Sequence, residues 1–235
     1  MPKSNILYQH GTLALLVPGL LDGTITMKEL LTHGDTGIGT GEGLDGELII
    51  LDGKPYQVDS TGEVNIVNNR FTLPFANIHF GDYQQLVNVD KISQKDLEDK
   101  ILSLTSANTF FSIELHGHFT NVRTRAVRKS HKPYKTLAKT AEKQSIFEKA
   151  DVTGTLLSYY SPEIFDGAAV GGFHHHFISD EHDFGGHLLS FGTASGDVQL
   201  QQFDTLEQHL PVKNHSYMDF DFSGEDILGD IHKAE

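Results

Sequence analysis

The stretch FFSIELHGHFTNVRTRAV, residues 110–127, alternates apolar and polar residues for much of its length. Successive side chains of a β-strand point to opposite faces. One face of this stretch therefore collects apolar or small residues, namely Phe111, Ile113, Leu115, Gly117 and Phe119. Further along, Arg123 and Arg125 share a face. The alternation predicts a long β-strand with one buried face.

Further strands are predicted on both sides of this stretch. Residues 44–52, LDGELIILD, form a strand pattern that ends in the turn-forming pair Asp52-Gly53. Short strands are also predicted nearer the C-terminus, over residues 153–160, 172–178, 186–192 and 198–203. Residues 137–150, LAKTAEKQSIFEKA, indicate a helix or a polar linker.

Helix starts are marked by capping patterns, in which a hydroxyl residue is followed three positions later by an acid. The pairs are Thr26 with Glu29, Ser93 with Asp96, and Ser223 with Asp226. The mixture predicts an α+β (mixed α/β) fold with two strand-rich halves. We expect a mixed β-sheet domain over residues 1–135, and a domain with a barrel-like sheet over residues 136–235, with few peripheral helices.

Composition limits the classes of function. The chain has 235 residues and no cysteine, which excludes disulfides, cysteine zinc sites and thiol catalysis and fits a reducing compartment. Its formal net charge of −14 disfavours nucleic acid and anionic membranes as partners. Pro18 and Gly19 interrupt the N-terminal apolar run, so we expect no signal peptide and a cytoplasmic location.

Five histidines lie in the stretch GGFHHHFISDEHDFGGH, residues 171–187. In a strand, His174 and His176 point one way and His175 the other. A turn over residues 183–186, Asp-Phe-Gly-Gly, would fold His187 back against that strand. Three neutral imidazoles with an open fourth position describe a catalytic site for zinc or another divalent metal. His175 and His182 are not expected to be ligands.

The metal pattern alone leaves the reaction open. His174, His176 and Glu181 resemble the metal motif of the cupins, but that motif requires glycines where Ala168 and Leu188 stand. A cupin-like oxygenase or isomerase is one alternative. A non-enzymatic metal-binding protein, in which the histidines only store metal, is another.

Taken together, the motifs resemble the alpha-acetolactate decarboxylase family. The resemblance rests on four segments: LYQHGTLALLVPGLLDGTIT, GIGTGEGLDGELIILDGKPYQV, RAVRKSHKPYKTL and GGFHHHFISDEHDFGGHLLSF. It implies decarboxylation of 2-acetolactate to (R)-acetoin by a homodimer, with zinc held by His174, His176 and His187. The zinc would act as a Lewis acid that stabilises the enediolate.

The resemblance also implies site residues far from the histidines. Glu47 in LDGE and Arg125, nine residues before Tyr134, correspond to catalytic positions, and Thr40 in GIGTG corresponds to a further one. All three come from the predicted N-terminal domain. Arg125 would anchor the substrate carboxylate, and Thr40 would also bind the substrate. Glu47 would order the substrate hydroxyl and move protons, with Arg125 and a metal-bound water as rival donors of the final proton.

An acidic residue near the C-terminus is also implied to approach the metal. Glu235 and Glu225 are the candidates for this substrate-binding position.

Overall fold

The computed structural model describes residues 5–224. It contains fifteen strands in this range: β1 (Ile6–His10), β2 (Ile25–Thr26), β3 (Thr36–Gly41), β4 (Asp45–Leu51), β5 (Lys54–Val58), β6 (Val64–Ile66), β7 (Thr72–Leu73), β8 (Phe75–His79), β9 (Gln84–Ile92), β10 (Phe110–Ala126), β11 (Ser145–Ser161), β12 (Gly172–Ser179), β13 (Gly185–Ser190), β14 (Ala194–Phe203) and β15 (Thr205–His209). The α-helices are α1 (Leu13–Leu16), α2 (Met27–Leu30), α3 (Gln94–Leu104), α4 (Leu137–Ala141) and α5 (His215–Met218), and 3₁₀ turns lie at Glu163–Phe165 and Phe222–Gly224.

Two large sheets dominate the molecule. Seven strands pair in the order β15-β1-β8-β3-β4-β5-β6, and six pair in the order β11-β12-β13-β10-β14-β9. The parallel pairing of β15 with β1 makes the seven-stranded sheet mixed. The predicted α+β fold class, with many strands and few helices, is confirmed.

The opening stretch is a single strand, β10, at the centre of the six-stranded sheet. It pairs with β11 along most of its length, and with β14 and then β13 on its other side. Its predicted apolar face is buried, and Phe111, Leu115 and Phe119 are each 0% exposed. The additional pairing of β11 with β10 links β10, β11, β12 and β13 in a cycle. A barrel-like form for this sheet stays a prediction.

The two sheets pack on each other through a shared apolar cluster. Leu7, Ile38 and Ile49 enter it from the seven-stranded sheet, and Leu157 and Ile178 enter it from the six-stranded sheet. Each sheet takes strands from both sides of residue 135, since β15 joins the first and β9 and β10 belong to the second. The predicted domain boundary therefore does not coincide with the boundary between the sheets.

Local signals at the helix starts are confirmed where the structure describes them. The Thr26 and Ser93 hydroxyls accept hydrogen bonds from the backbone N–H groups of Glu29 and Asp96 at the starts of α2 and α3. The predicted helix after Ser223 extends outside the described residues. No helix in the described range is long and apolar enough to cross a membrane.

The prediction for residues 137–150 is wrong in its second half. Helix α4 ends at Ala141 and strand β11 begins at Ser145. Residues from Ser145 onward pair with the end of β10, where Phe147 lies opposite Thr124. Pairing with a long neighbouring strand outweighs the helical propensity of a polar segment.

Candidate metal centre

Three histidines meet on one face of the six-stranded sheet. His174 and His176 lie two residues apart on β12, and His187 on β13 pairs directly with His176. One potential ligand atom from each ring lies within 4.8 Å of the others. Within residues 5–224, this is the only such group of three or more His, Asp or Glu residues. The structure thus brings together the three residues that strand alternation and the turn had selected.

The predicted turn before His187 is displaced. Gly185 and Gly186 already belong to β13 and pair with Ile178 and Phe177. The turn lies just before them, where the Ser179 hydroxyl accepts hydrogen bonds from the backbone N–H groups of Asp183 and Phe184. These bonds satisfy the backbone N–H donors of the turn without Gly185 and Gly186, which the prediction had placed in it.

Gly186 lets β13 approach β10 closely. Its φ is +128°, and a Cβ atom there would lie 2.5 Å from the carbonyl oxygen of Arg125. A larger residue would be strained and would clash with the β10 backbone. The close approach places His187 opposite Arg125 in the register of β10 and β13.

The donor set fits a metal ion. His174 Nε2 and His187 Nδ1 are 3.2 Å apart. Two nitrogens bound to tetrahedral zinc at its usual bond lengths are separated by about 3.3 Å. His176 Nδ1 donates to the carbonyl oxygen of Leu48 at 3.0 Å, so its Nε2 is the atom left to bind a metal. In the described part of the chain, that buried Nε2 has no hydrogen-bond partner, and a cation would satisfy it.

The protonation state suits metal binding as well. Burial lowers the pKa of His176 well below its usual range, and the neighbouring His174 and Arg125 add to the effect. Burial also lowers the pKa of His187 well below its usual range, with Arg125 adding to the effect. Both rings are therefore neutral at pH 7, which is the form that binds a metal.

Glu47 and Arg125 lie beside the histidines, each from a different sheet. The Glu47 carboxylate is 3.6 Å from His176 Nε2 through one oxygen and 4.0 Å from Arg125 Nη1 through the other. Both side chains are buried, at 7% exposed for Glu47 and 6% for Arg125. The arrangement places an acid between a cation and the candidate metal position.

Thr40 is held close to Glu47 by strand pairing. The two residues lie opposite each other in β3 and β4, and the Thr40 hydroxyl donates to the Gly46 carbonyl oxygen at 2.8 Å. All three residues predicted from the N-terminal half thus line the same cavity as the histidines. Glu225 and Glu235 lie outside the described residues.

The wall of this cavity was missed by sequence reasoning. Apart from the residues above, its lining is almost entirely apolar: Leu13, Leu16, Gly39, Leu44, Phe75, Val127 and Leu137. These residues come from six separate segments, and nothing in a single apolar position marks it as a pocket wall. The apolar wall and the burial of Glu47, Arg125, His176 and His187 lower the local dielectric constant, which strengthens electrostatic interactions among these groups.

The two histidines that were not expected to be ligands lie elsewhere. His182 is exposed and stacks on Tyr56, with ring centroids 4.5 Å apart. His175 points to the opposite face of β12, where its ring nitrogens contact Ser158 Oγ and Glu98 Oε1. The potential-ligand cluster contains neither. Sequence reasoning missed the contact of His175 with Glu98, since nothing in the pattern says which element covers that face.

Glu98 is ionised in this contact. Burial alone raises the pKa of its carboxyl group, but hydrogen bonds from His175 and Gln94 and the charge of His175 outweigh burial. The pKa of Glu98 therefore lies below its usual range. An ionised carboxylate only accepts hydrogen bonds, so His175 Nε2 donates to Glu98.

The sequence of the chain is similar to a family profile and to several known enzymes. The family profile described as Alpha-acetolactate decarboxylase matches residues 7–224. The alpha-acetolactate decarboxylase of Streptococcus thermophilus is 38% identical, with all of both chains covered. That of Methanosarcina mazei is 36% identical, covering 99% of this chain and 81% of its own.

Solved structures agree with these relatives. The crystal structure of alpha-acetolactate decarboxylase from Bacillus subtilis strain 168 matches with a TM-score of 0.94 at 32% identity, over 98% of this chain and 99% of that one. A Staphylococcus aureus protein described as of unknown function and similar to alpha-acetolactate decarboxylase matches with a TM-score of 0.93 at 36% identity. The match covers all of the Staphylococcus aureus protein and 98% of this chain.

Proposed function

Since the chain belongs to the alpha-acetolactate decarboxylase family, we propose that it converts 2-acetolactate to (R)-acetoin and carbon dioxide in a zinc-dependent reaction. The observation that carries this proposal is the convergence of His174, His176, His187, Glu47 and Arg125 on one apolar-walled cavity. Neither a storage protein nor a simple metal sink requires a buried acid and a buried cation beside its ligands.

The reaction needs an acceptor for an electron pair and a donor of one proton. 2-Acetolactate carries a hydroxyl and a carboxylate on the carbon next to its ketone. When the bond to the carboxylate breaks, carbon dioxide leaves and the bonding electrons move towards the ketone oxygen. One proton then adds to carbon and completes acetoin. A zinc ion on the three histidines would supply the Lewis acidity that stabilises the developing negative charge on oxygen.

Arg125 is the anchor for the substrate carboxylate. Its guanidinium lines the cavity, only 6% exposed, and can present two parallel N–H donors to a carboxylate. A local cation is required because the chain as a whole has a net charge of −14, which repels anions at long range. Holding the carboxylate here also fixes which bond breaks.

Glu47 is the group that handles the proton. Its carboxylate faces both Arg125 and His176, so a substrate bound between them lies within its reach. As a carboxylate it accepts a hydrogen bond from the substrate hydroxyl, and once it has taken up a proton from solvent it delivers that proton to the carbon that has lost carbon dioxide.

Thr40 contributes by holding the substrate and the strand that carries Glu47. Its hydroxyl proton is engaged by the carbonyl of Gly46, so the oxygen offers lone pairs to a substrate hydroxyl. The same bond fixes the backbone immediately before Glu47.

The proposal also includes a homodimer, as the resemblance implies, and a cytoplasmic location, which the absence of cysteine fits.

The proposal is tested by supplying the zinc-loaded protein with racemic 2-acetolactate and measuring both products. We expect acetoin and carbon dioxide in equal amounts, and chiral chromatography should show (R)-acetoin. No acetoin from folded, zinc-loaded protein would overturn the assignment. Consumption of oxygen with an iron-loaded protein would favour the cupin-like alternative instead.

A further inference from the structure

His175 has no place in the mechanism above, yet it is a buried polar side chain between two of the candidate metal ligands. It lies between His174 and His176 on β12, faces away from them, and is 7% exposed. Both ring nitrogens are engaged, Nδ1 with Ser158 Oγ and Nε2 with Glu98 Oε1 at 3.1 Å. The ring also stacks on Phe173 at an interplanar angle of 10°.

The partners of His175 belong to two different elements. Ser158 lies on β11 directly opposite His175 in the strand register. Glu98 lies on α3, where Gln94 donates a second hydrogen bond to the same carboxylate oxygen at 3.0 Å. Helix α3 is itself fixed to the six-stranded sheet through buried Leu97 and Ile101. The row Glu98–His175–Ser158 therefore ties α3, β12 and β11 together.

A row of serine, histidine and glutamate also has the residue types of a hydrolase triad. That function does not fit here, because Ser158 is 1% exposed and does not line the cavity beside His175. A nucleophile must reach its substrate. The row is built to hold a strand in place.

We propose that Glu98 and His175 are positioning residues, which fix β12 so that His174 and His176 keep the spacing the metal needs. Hydrogen bonds to the side chain of the middle residue restrain the backbone of both neighbours, because the three residues belong to one continuous strand. Ligand nitrogens must be held within a few tenths of an ångström for tight metal binding. The inference rests on the proposed metal centre and adds a requirement for the far side of the sheet.

Glu98 offers the cleaner test, because it lies on a helix and does not touch the metal ligands. Glu98→Ala removes the anchor of His175, and alanine preserves the helix. Glu98→Gln keeps an acceptor oxygen for His175 Nε2–H. Asp99→Ala is the matched control, since Asp99 is the next residue on α3 and pairs with the exposed Lys95.

Two readouts separate positioning from general stability, and neither uses activity. The first is the zinc dissociation constant from competition with a chromophoric chelator. The second is the visible spectrum of the cobalt-substituted protein, which reports ligand geometry. We expect Glu98→Ala to weaken zinc binding about 10-fold and to alter the cobalt spectrum, while Glu98→Gln and Asp99→Ala stay close to wild type.

The outcomes distinguish this inference from the proposed function. A wild-type protein that binds no zinc at the histidines refutes the metal centre itself. A wild-type protein that binds zinc, with Glu98→Ala unchanged in affinity and spectrum, refutes only the positioning role. A lower unfolding temperature for Glu98→Ala with an unchanged cobalt spectrum would likewise contradict it.

Discussion

At the scale of the single residue, one hydrogen bond of His176 decides which of its ring nitrogens is left for a metal. Its Nδ1 is committed to the Leu48 carbonyl, which leaves a buried Nε2 that faces the other two histidines. That bond also crosses between the sheets, since Leu48 belongs to β4 and His176 to β12. This hydrogen bond thus fixes both the tautomer of His176 and the position of His176 relative to Glu47.

We predict that His176→Ala abolishes stoichiometric zinc binding, because the two remaining imidazoles are fewer than the three protein ligands that a catalytic zinc site needs. His182→Ala is the matched control, since it removes an exposed histidine from the same stretch. Zinc content after gel filtration, measured by atomic emission, checks this, and circular dichroism confirms folding. One zinc per chain in folded His176→Ala would show that the ligands are wrong.

Glu47→Gln keeps the volume of the side chain and removes its charge and basicity. We expect normal zinc content and a loss of about 10²- to 10⁴-fold in kcat, the range for a proton-transferring group. Glu42→Gln is the control: Glu42 is a nearby acid that accepts hydrogen bonds from Tyr134 and Thr72 and does not line the cavity. Steady-state acetoin production gives both values. Near-normal turnover in Glu47→Gln would remove its assigned role.

At the scale of the element, alternation within one strand was predictable and pairing between strands was not. The faces of β10 and the split between His175 and the other two histidines of β12 follow from side-chain geometry alone. The pairing of Arg125 with His187 depends on which strands become neighbours, and a single sequence does not specify that choice. The strand start at Ser145 was missed for the same reason, because β10 imposes it.

The pairing of β1 with β15 makes a further prediction at this scale. His10 on β1 is 0% exposed, and its Nδ1 lies 3.0 Å from Nδ1 of His209 on β15. Burial lowers the pKa of His10 to about 4, with contributions from the charges of His209 and His33. In the unfolded chain the pKa of the same group lies near its usual value of 6.5.

The sign of the effect follows from proton uptake. Above pH 6.5 His10 is neutral in both states, so its full contribution to stability is present. As the pH falls from 6.5 towards 4, the unfolded chain takes up a proton that the folded protein does not, and the free energy of unfolding decreases. We expect urea unfolding of His10→Gln to show a shallower loss over this window than wild type. Parallel pH profiles for the two proteins would contradict the prediction.

At the scale of the whole molecule, the site exists only because two sheets meet. Glu47 and Thr40 come from the seven-stranded sheet, whereas the histidines and Arg125 come from the six-stranded sheet. The residue types could be selected from the sequence, through the histidine spacing and the family resemblance. Their distances and the apolar wall could not, because these depend on how the sheets pack. The Glu98 contact was hidden because it depends on which helix covers the other face of β12.

The central claim is that one zinc ion on His174, His176 and His187 supports decarboxylation. The most direct measurement removes the metal with a chelator and titrates zinc back, while bound zinc and acetoin production from 2-acetolactate are followed together. We expect no turnover without metal and a linear rise in activity that ends at one zinc per chain. Full turnover by the metal-free protein, or activity that does not follow zinc at this site, would contradict the account.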